Sequence, residues 1–417
     1  MNAFLELEPR ESRADEPVEC RIGGLEPGER VVLRAETVDE GGRRWASRGT
    51  FAADADGNID LARQAPEDGT WSVPSASGWL WSLRPDGDDS APVPLFRKKT
   101  VEPVSLEVSL KRKKKPATRQ TLVRRFAPAD NTLVRETVSE DGLEGVLFYP
   151  AGMESGPTLI VLSGSGGGLD EPRAALLAAH GFAVLAPAYF GTGSLPRELS
   201  RVPLEFFERG LTWLKGRPAA DTSRLGIFGY SKGGELALLL ASLHPEIRAA
   251  GVFSGSSYVW QGLSFGRAAS SWTREGKELP FLPMKVPPGS FLRLLTGRPV
   301  SFYNSYARGL RAAENPGKAA IAVEKINGPV FLAAGEHDEV WPAAEFSDTV
   351  AARLAERGHP HPCTYLREAA GHLVGLPYLP AAQVCRNLIF SRGHFEEDSL
   401  ATIKAWDALV AFFRENL

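Results

Sequence analysis

The stretch that decides the fold is Arg224-Leu-Gly-Ile-Phe-Gly-Tyr-Ser-Lys-Gly-Gly-Glu235. Its apolar run Leu225–Phe228 predicts a buried strand, and the leucine-rich run 236–243 predicts a helix. A serine inside Gly-x-Ser-x-Gly at such a junction sits on a sharp turn that exposes its hydroxyl at the top of the sheet. Glycines on both sides tolerate the crowded backbone. The context therefore predicts that Ser231 is a nucleophile rather than part of an ordinary tight turn.

The composition indicates a soluble globular protein. Of the 417 residues, 43% are hydrophobic and 24% are charged, and the length favours two domains. A net charge of −3 argues against nucleic acid as the main partner. No apolar run approaches the ~20 residues of a membrane span, and Met1 to Pro17 lack a signal-peptide core. With three cysteines, irregularly spaced, we expect a cytoplasmic protein without disulfides, a metal site or a cofactor.

Residues 1–140 carry the pattern of short strands. Val31, Leu33 and Ala35 alternate with polar residues, and the same alternation recurs at 106–110 and at 79–83. Glycine-containing turn signals separate these runs. Many short strands at this spacing predict an antiparallel β-sandwich domain without a catalytic constellation.

The run Lys111-Arg-Lys-Lys-Lys115 has two interpretations. It could attract a phosphorylated substrate, or it could be a solvated hairpin or a lysine-guarded sheet edge. We favour the second interpretation, because neighbouring acidic residues cancel much of the positive electrostatic potential of this run.

Residues 141–417 alternate between apolar strands and helices. The predicted strands are 158–162, 182–186, 225–228, 249–253 and 330–334, and the predicted helices are 171–180, 203–216, 231–244, 343–357 and 399–414. Continuous apolar runs are typical of buried parallel strands, so this half is predicted to be a doubly wound, mostly parallel α/β sheet. The aromatic-rich segment 255–327 is too long for a connection, and we interpret it as a cap over the active-site end.

A serine nucleophile needs a base oriented by a third group, and in this architecture the acid and then the histidine follow in later loops. Gly335-Glu-His-Asp-Glu-Val-Trp-Pro342 offers Asp338, with Glu336 and Glu339 as alternatives. Ala369-Ala-Gly-His-Leu373 offers His372 as the general base. We interpret His337 as a surface histidine.

An oxyanion needs backbone N–H donors. One should be that of Lys232, directly after the nucleophile, and the other should lie in the loop Ser163-Gly-Ser-Gly-Gly-Gly168, at Gly164, Ser165 or Gly166. A phosphate-binding glycine loop is the competing interpretation. It fits less well, because the next strand ends in Ala186-Pro187 without an acid.

With these motifs in order, the chain resembles the acyl-CoA thioesterase and bile-acid-CoA:amino-acid N-acyltransferase family over nearly its whole length. The matching stretches lie in both halves: Gly24–Gly28, Trp45–Ser47, Phe51–Asp54, Gly57–Leu61, Ala65–Pro66, Gly69–Thr70, Leu80–Leu83, Ser163–Gly168, His180–Ala186, Ala188–Gly191, Tyr230–Ala237, Ile321–Lys325, Gly335–Pro342 and Gly371–Leu373. The cap segment 255–298 shows little similarity.

The resemblance implies an N-terminal immunoglobulin-like sandwich, a C-terminal α/β-hydrolase domain and an acyl-CoA or other acyl thioester as substrate. It also supports Ser231, Asp338 and His372 as a triad. Family members that transfer the acyl group to an amino acid carry cysteine at the nucleophile position, whereas the hydrolases carry serine. Ser231 therefore favours a thioesterase, with acyl transfer to an amine, alcohol or carrier acceptor, a carboxylesterase, and an inactive scaffold as alternatives. The acyl group, the carrier and the oligomeric state stay open.

Overall fold

The computed structural model describes residues 3–87, 92–128, 132–193, 195–264 and 268–417. In the N-terminal half the elements are β1 (Phe4–Glu8), β2 (Glu11–Arg13), β3 (Glu19–Gly23), β4 (Arg30–Val38), β5 (Arg44–Ala52), β6 (Asp68–Gly69), α1 (Gly78–Trp81), β7 (Arg84–Pro85), β8 (Val104–Arg112) and β9 (Thr118–Arg125). Within these described residues, seven strands form one sheet in the order β2-β9-β8-β4-β5-β6, and β7 also pairs with β5. Strands β1 and β3 form a separate pair.

The predicted alternation in β4 is confirmed, because Val31, Leu33 and Ala35 are buried on one face. Most pairs in the sheet are antiparallel, but β2 runs parallel to β9. The immunoglobulin-like topology stays a prediction. The basic run 111–115 lies at the β8–β9 hairpin, where Arg112 pairs with Glu29 at 2.7 Å.

The prediction of a strand at 79–83 was wrong. Residues Gly78–Trp81 form a short helix, closed by the N–H of Ser82 donating to the Gly78 carbonyl at 3.0 Å. Trp79, Leu80 and Trp81 are all buried. When a turn is covered on every side, its apolar residues carry no periodicity that separates helix from strand.

The second half contains thirteen strands among the described residues: β10 (Leu133–Glu140), β11 (Leu143–Pro150), β12 (Gly156–Leu162), β13 (Ala183–Ala188), β14 (Val202–Pro203), β15 (Ala220–Tyr230), β16 (Ile247–Phe253), β17 (Trp272–Arg274), β18 (Lys277–Glu278), β19 (Val330–Gly335), β20 (Cys363–Glu368), β21 (Val384–Cys385) and β22 (Leu388–Ile389). Its helices are α2 (Glu171–Ala179), α3 (Glu205–Lys215), α4 (Lys232–Leu243), α5 (Pro288–Leu295), α6 (Tyr303–Arg311), α7 (Ala343–Glu356) and α8 (Phe395–Asn416). Two short 3₁₀ helices lie at Pro316–Ala319 and Val323–Lys325.

Eight of the described strands form the central sheet in the order β10-β11-β13-β12-β15-β16-β19-β20. The pairs from β13 through β12 to β20 are parallel, whereas β10, β11 and β13 pair antiparallel. The edge strand β10 precedes residue 141 in the chain. Carboxyl ends of parallel strands meet at one edge, so the loops after β12, β15, β19 and β20 converge there. These loops carry the predicted site residues.

The two halves of the chain are packed against each other. One hydrophobic cluster continues from Leu33 in β4 to Trp406 in α8. At its margin, the Asp15 carboxylate accepts hydrogen bonds from His180 Nε2 at 2.6 Å and Trp406 Nε1 at 3.1 Å. Among the residues that the structure describes, no helix has the length and apolarity needed to cross a membrane.

Candidate active site

Ser231 occupies a strained turn between β15 and α4. Its backbone has φ +55° and ψ −126°, a region that residues with a side chain seldom adopt. Such a conformation costs of order 1–3 kcal/mol and persists only where the surroundings hold it. Here the N–H of Ser231 donates to the Phe253 carbonyl at the end of β16, at 2.9 Å. The predicted strand, turn and helix around Ser231 are confirmed.

Neither of the glycines that flank the turn, Gly229 and Gly233, has room for a side chain. A Cβ at Gly229 would lie 2.1 Å from the Gly233 carbonyl oxygen. A Cβ at Gly233 would lie 2.4 Å from the carbonyl oxygens of Leu162 and Ser163. These close backbone contacts leave no room for a side chain, so the Gly-x-Ser-x-Gly pattern is a packing requirement of this turn.

Asp338 and His372 form a buried pair in the loops that follow β19 and β20. His372 Nδ1 lies 2.6 Å from Asp338 Oδ2, and both side chains are about 2% exposed. The other carboxylate oxygen, Oδ1, accepts the N–H groups of Val340 at 2.8 Å and Trp341 at 3.2 Å. With Nδ1–H donating to the carboxylate, Nε2 is the imidazole atom left to accept a proton.

The alternative acids are engaged elsewhere. Glu336 pairs with Arg367 at 2.6 Å, and Glu339 pairs with Arg392 at 3.2 Å. His337 is exposed, as the sequence predicts. Of the three acidic residues in this loop, Asp338 is the one whose carboxylate contacts His372.

The glycine loop after β12 reaches the Ser231 side chain at Gly164. A Cβ at Gly164 would lie 3.2 Å from the Ser231 Cβ and 3.0 Å from the Tyr230 ring. Ser165 and Gly166 are exposed in the turn that the N–H of Gly167 closes on the Gly164 carbonyl at 3.2 Å. Lys232 begins α4, and the first N–H groups of a helix have no intrahelical acceptor. The geometry thus brings Gly164 and the start of α4 to Ser231, with Ser165 and Gly166 further out.

The Lys232 side chain makes a buried ion pair that sequence reasoning missed. Its Nζ lies 2.7 Å from Glu235 Oε2, and both side chains are almost fully buried. Glu235 Oε1 accepts Trp272 Nε1 at 2.8 Å, which ties the start of α4 to segment 255–327. Burial lowers the pKa of Lys232 and raises the pKa of Glu235, because each ion loses its hydration. A Lys and a Glu three apart in an otherwise apolar helix were the available signal.

Ser254 connects the loop that carries Asp338 to the loop that carries His372. Sequence reasoning did not identify this residue either. It is fully buried at the end of β16. Its Oγ accepts the N–H of Leu373 at 2.9 Å, and its carbonyl accepts Trp341 Nε1 at 2.9 Å. Ser254 thereby fixes the residues that follow His372 and Asp338.

Arg173 is a further buried charge close to the site. Its guanidinium carbon lies 4.4 Å from the ring centroid of Tyr230, the residue before Ser231. The Arg173 guanidinium forms an ion pair with Asp170, and its Nη2 donates to the Gly375 carbonyl at 2.8 Å. The side chain therefore connects α2, the serine turn and the segment after His372.

The part of the chain that the structure describes contains no group of three or more His, Cys, Asp or Glu residues arranged to hold a metal ion. The chemistry available at this edge of the sheet is that of a hydroxyl, an imidazole–carboxylate pair and backbone donors. This set, on a sheet of this topology, is typical of the α/β-hydrolases.

Comparison with known proteins gives the family. Residues 202–417 match the family model described as the C-terminal region of BAAT / acyl-CoA thioester hydrolase, and residues 15–140 match the model of the N-terminal region. Mouse acyl-coenzyme A thioesterase 1 is 30% identical over 432 residues, which cover 100% of this chain and 97% of that protein. The chain therefore belongs to the BAAT / acyl-CoA thioester hydrolase family, and it is an enzyme of the thioester hydrolase class.

Another relative is named as a mitochondrial protein. Mouse mitochondrial acyl-coenzyme A thioesterase 2 is 31% identical, with 100% of this chain and 90% of that protein covered. Among solved structures, a putative dienelactone hydrolase from Klebsiella pneumoniae matches with a TM-score of 0.43 and 16% identity over 68% of this chain and 98% of that one.

Proposed function

We propose that the protein hydrolyses acyl-CoA thioesters, with Ser231 as nucleophile, His372 as general base and Asp338 as the residue that orients His372. The observation that carries the proposal is the 2.6 Å contact between His372 Nδ1 and Asp338 Oδ2. Ser254, which accepts hydrogen bonds from Leu373 and Trp341, directly follows Phe253, whose carbonyl accepts the N–H of Ser231. This connection supports a shared site for Ser231 and the imidazole–carboxylate pair. The substrate class is supported by the family and by the names of its members.

Acylation begins when His372 Nε2 accepts the proton of Ser231 Oγ, and Oγ attacks the thioester carbonyl carbon. The oxygen that becomes negative is stabilised by backbone N–H groups, that of Lys232 and one from Gly164, Ser165 or Gly166. The C–S bond then breaks, and the imidazolium returns its proton to the departing sulfur. A thiol of pKa about 8.5 leaves readily, so this step needs little acid assistance.

Deacylation repeats the same proton transfers with water. His372 removes a proton from water, the hydroxide attacks the acyl-serine carbonyl, and Ser231 Oγ leaves with the proton. Asp338 keeps Nδ1 protonated throughout, so Nε2 is the atom that exchanges protons in both half-reactions.

The serine itself favours hydrolysis over acyl transfer. An acyl-serine is an oxygen ester, which an activated water can resolve, whereas an acyl-cysteine would still be a thioester and would keep its reactivity towards amines. The family name includes N-acyltransferases, so transfer to an amine, alcohol or carrier acceptor is the second candidate, with a carboxylesterase as a further alternative.

The test uses Ser231→Ala with Ser242→Ala, at the far end of α4, as the matched control. Thiol release from a series of acyl-CoA esters should disappear in Ser231→Ala and persist in the control, while the far-UV circular dichroism of both stays that of the wild type. Full thiol release by Ser231→Ala would refute the proposal. Product masses, measured with candidate amine acceptors present, should show the free acid; an acyl conjugate would indicate a transferase.

The domain organisation belongs to this proposal. We propose an immunoglobulin-like domain at 1–140, a hydrolase domain at 141–417 whose sheet also includes the preceding strand β10 (Leu133–Glu140), a cap at 255–327 and a cytoplasmic location. The cap is supported by one aromatic cluster, in which Trp260 contacts Tyr306 and Tyr306 contacts Trp341, three residues after Asp338. Because a mouse relative is mitochondrial, the location needs its own measurement by cell fractionation.

A further inference from the structure

Residues 390–393, here called the clamp segment, lie between the Asp338 loop and the His372 loop. The Phe390 carbonyl accepts the N–H of His372 at 3.0 Å and the N–H of Glu339 at 3.3 Å. Ser391 forms an antiparallel bridge with Asp338. One short segment therefore hydrogen-bonds to the residues on which the imidazole–carboxylate contact depends.

Further bonds hold the three segments in one layer. The N–H of Arg392 donates to the His337 carbonyl at 3.3 Å, and the N–H of His337 donates to the Ala370 carbonyl at 2.8 Å. The Phe390 ring lies 5.5 Å from the His372 ring, edge to face. Moving the clamp segment would therefore move both loops.

The clamp segment is tied to α8 through one carboxylate. Asp398, in the first turn of α8, is 3% exposed. Its Oδ1 accepts the N–H of Gly371 at 2.7 Å and the hydroxyl of Ser391 at 2.9 Å. Gly371 directly precedes His372, so a single oxygen atom joins the histidine loop to the clamp segment.

Gly371 is closely packed against the side chain of Ser391. A Cβ at Gly371 would lie 2.1 Å from the Ser391 Cβ and 2.5 Å from its Oγ. Because the backbone of one loop rests directly on the side chain of the other, a displacement of Ser391 is transmitted to the residue before His372.

We propose that Asp398 is a positioning residue for the reaction: its Oδ1 holds Gly371 and Ser391 together and thereby fixes His372 against Asp338. This inference rests on the proposed function, in which His372 is the base. Asp398 does not contact the reacting atoms; it acts through the two loops that carry them.

The surroundings of the second carboxylate oxygen, Oδ2, indicate which replacement of Asp398 should preserve the hydrogen bonds to Gly371 and Ser391. Among the described residues, Oδ2 is buried and has no hydrogen-bond partner. An asparagine can present its carbonyl oxygen at the Oδ1 position and place its NH₂ group where Oδ2 lies. Asp398→Asn therefore keeps both acceptor bonds, whereas Asp398→Ala removes both. The Gly371 N–H and the hydroxyl hydrogen of Ser391 then lose their acceptor, while Ser391 Oγ still accepts the N–H of Gly393.

The experiment compares full-length Asp398→Ala, Asp398→Asn and the control Glu397→Ala, which removes the neighbouring exposed carboxylate. We expect kcat for acyl-CoA hydrolysis to fall about 10- to 100-fold in Asp398→Ala with KM little changed, since supporting residues typically have effects of this size. Asp398→Asn and Glu397→Ala should keep kcat near the wild type. Wild-type kcat in a folded Asp398→Ala, or an Asp398→Asn as impaired as Asp398→Ala, would overturn the inference.

A second readout separates this inference from the proposed function. Proton NMR of the wild type should show a downfield Nδ1–H resonance from His372, and it should persist in Asp398→Asn and vanish or broaden in Asp398→Ala. An unchanged resonance in Asp398→Ala would overturn the positioning role even if no acyl-CoA were hydrolysed. If Asp398→Ala does not fold, Ser391→Ala removes one of the two bonds and should lower kcat by about tenfold or less; an unaltered kcat would count against the clamp.

Discussion

Asp338 and His372 are 34 residues apart in the chain, yet Oδ2 of the first lies 2.6 Å from Nδ1 of the second. The acid loop follows β19 and the histidine loop follows β20, and these strands are parallel neighbours at the sheet edge. Adjacent parallel strands bring their following loops together, which explains why the contact forms. The contact also fixes which imidazole nitrogen carries the proton.

Asp338→Asn should lower kcat strongly, because the amide can donate to Nδ1 and so favour the wrong tautomer. A loss of about 10⁴-fold is the size seen when such an acid is amidated in a serine hydrolase. Thiol release from acyl-CoA measures it. The matched control is Glu339→Gln in the same loop, which should stay near wild type; a larger loss in Glu339→Gln than in Asp338→Asn would reverse the assignment.

Lys232→Met should destabilise the protein by about 3–5 kcal/mol, because Glu235 would be left as a buried unpaired charge. The double variant Lys232→Met/Glu235→Gln should regain much of this loss, since Gln can still accept Trp272 Nε1. Chemical denaturation measures both. The exposed pair Arg30–Glu67 is the control. A double-mutant cycle on this pair should give a coupling energy within about 1 kcal/mol. Equal coupling energies in the two pairs would contradict the prediction.

Gly229→Ala and Gly233→Ala should each disrupt the serine turn, because the added Cβ would meet backbone oxygens at 2.1 Å and 2.4 Å. We expect a large loss of stability in thermal unfolding and loss of Ser231 labelling by a fluorophosphonate. Gly289→Ala is the control, since a Cβ there would meet none of the described atoms within 4 Å beyond its chain neighbours and its own helix backbone. Normal labelling of Gly233→Ala would show that the turn tolerates a side chain.

The stability difference between the wild type and Asp398→Asn should change with pH. Burial raises the pKa of Asp398 from 3.8 to about 6, against the opposing effects of Gly371, Ser391 and His337, while nearby Glu397 adds to the rise. Between these values the native state binds more protons than the unfolded state. Wild-type stability relative to Asp398→Asn therefore falls as pH rises from about 4 to about 6, and it levels off above that range.

Urea unfolding at several pH values measures this difference, and the slope should lie in the acid range. A difference that stays constant from pH 4 to pH 7 would mean that the carboxyl of Asp398 titrates alike in the native and unfolded states.

Local patterns predicted much of the scaffold. The strand and helix around Ser231 were predictable because a buried apolar strand, a glycine-flanked turn and an apolar helix are consecutive in the chain. The helices α2, α3, α4, α7 and α8 lie where the alternation of apolar runs places them. The strand predicted at 79–83 failed because Trp79 and Trp81 are buried on all sides, which removes the polar face that periodicity requires.

The sequence by itself determined the Gly-x-Ser-x-Gly turn, the order of serine, acid and histidine loops, and the family. Only the tertiary structure decided three further points. It decided which of three acidic residues contacts His372, that the Lys232 side chain forms a buried ion pair with Glu235, and that Asp398 accepts hydrogen bonds from both Gly371 and Ser391. The physical reason is distance along the chain. Turns and helices are fixed by residues within a few positions of one another, whereas a shared carboxylate oxygen between α8 and a loop 27 residues earlier depends on how the whole sheet brings its edges together.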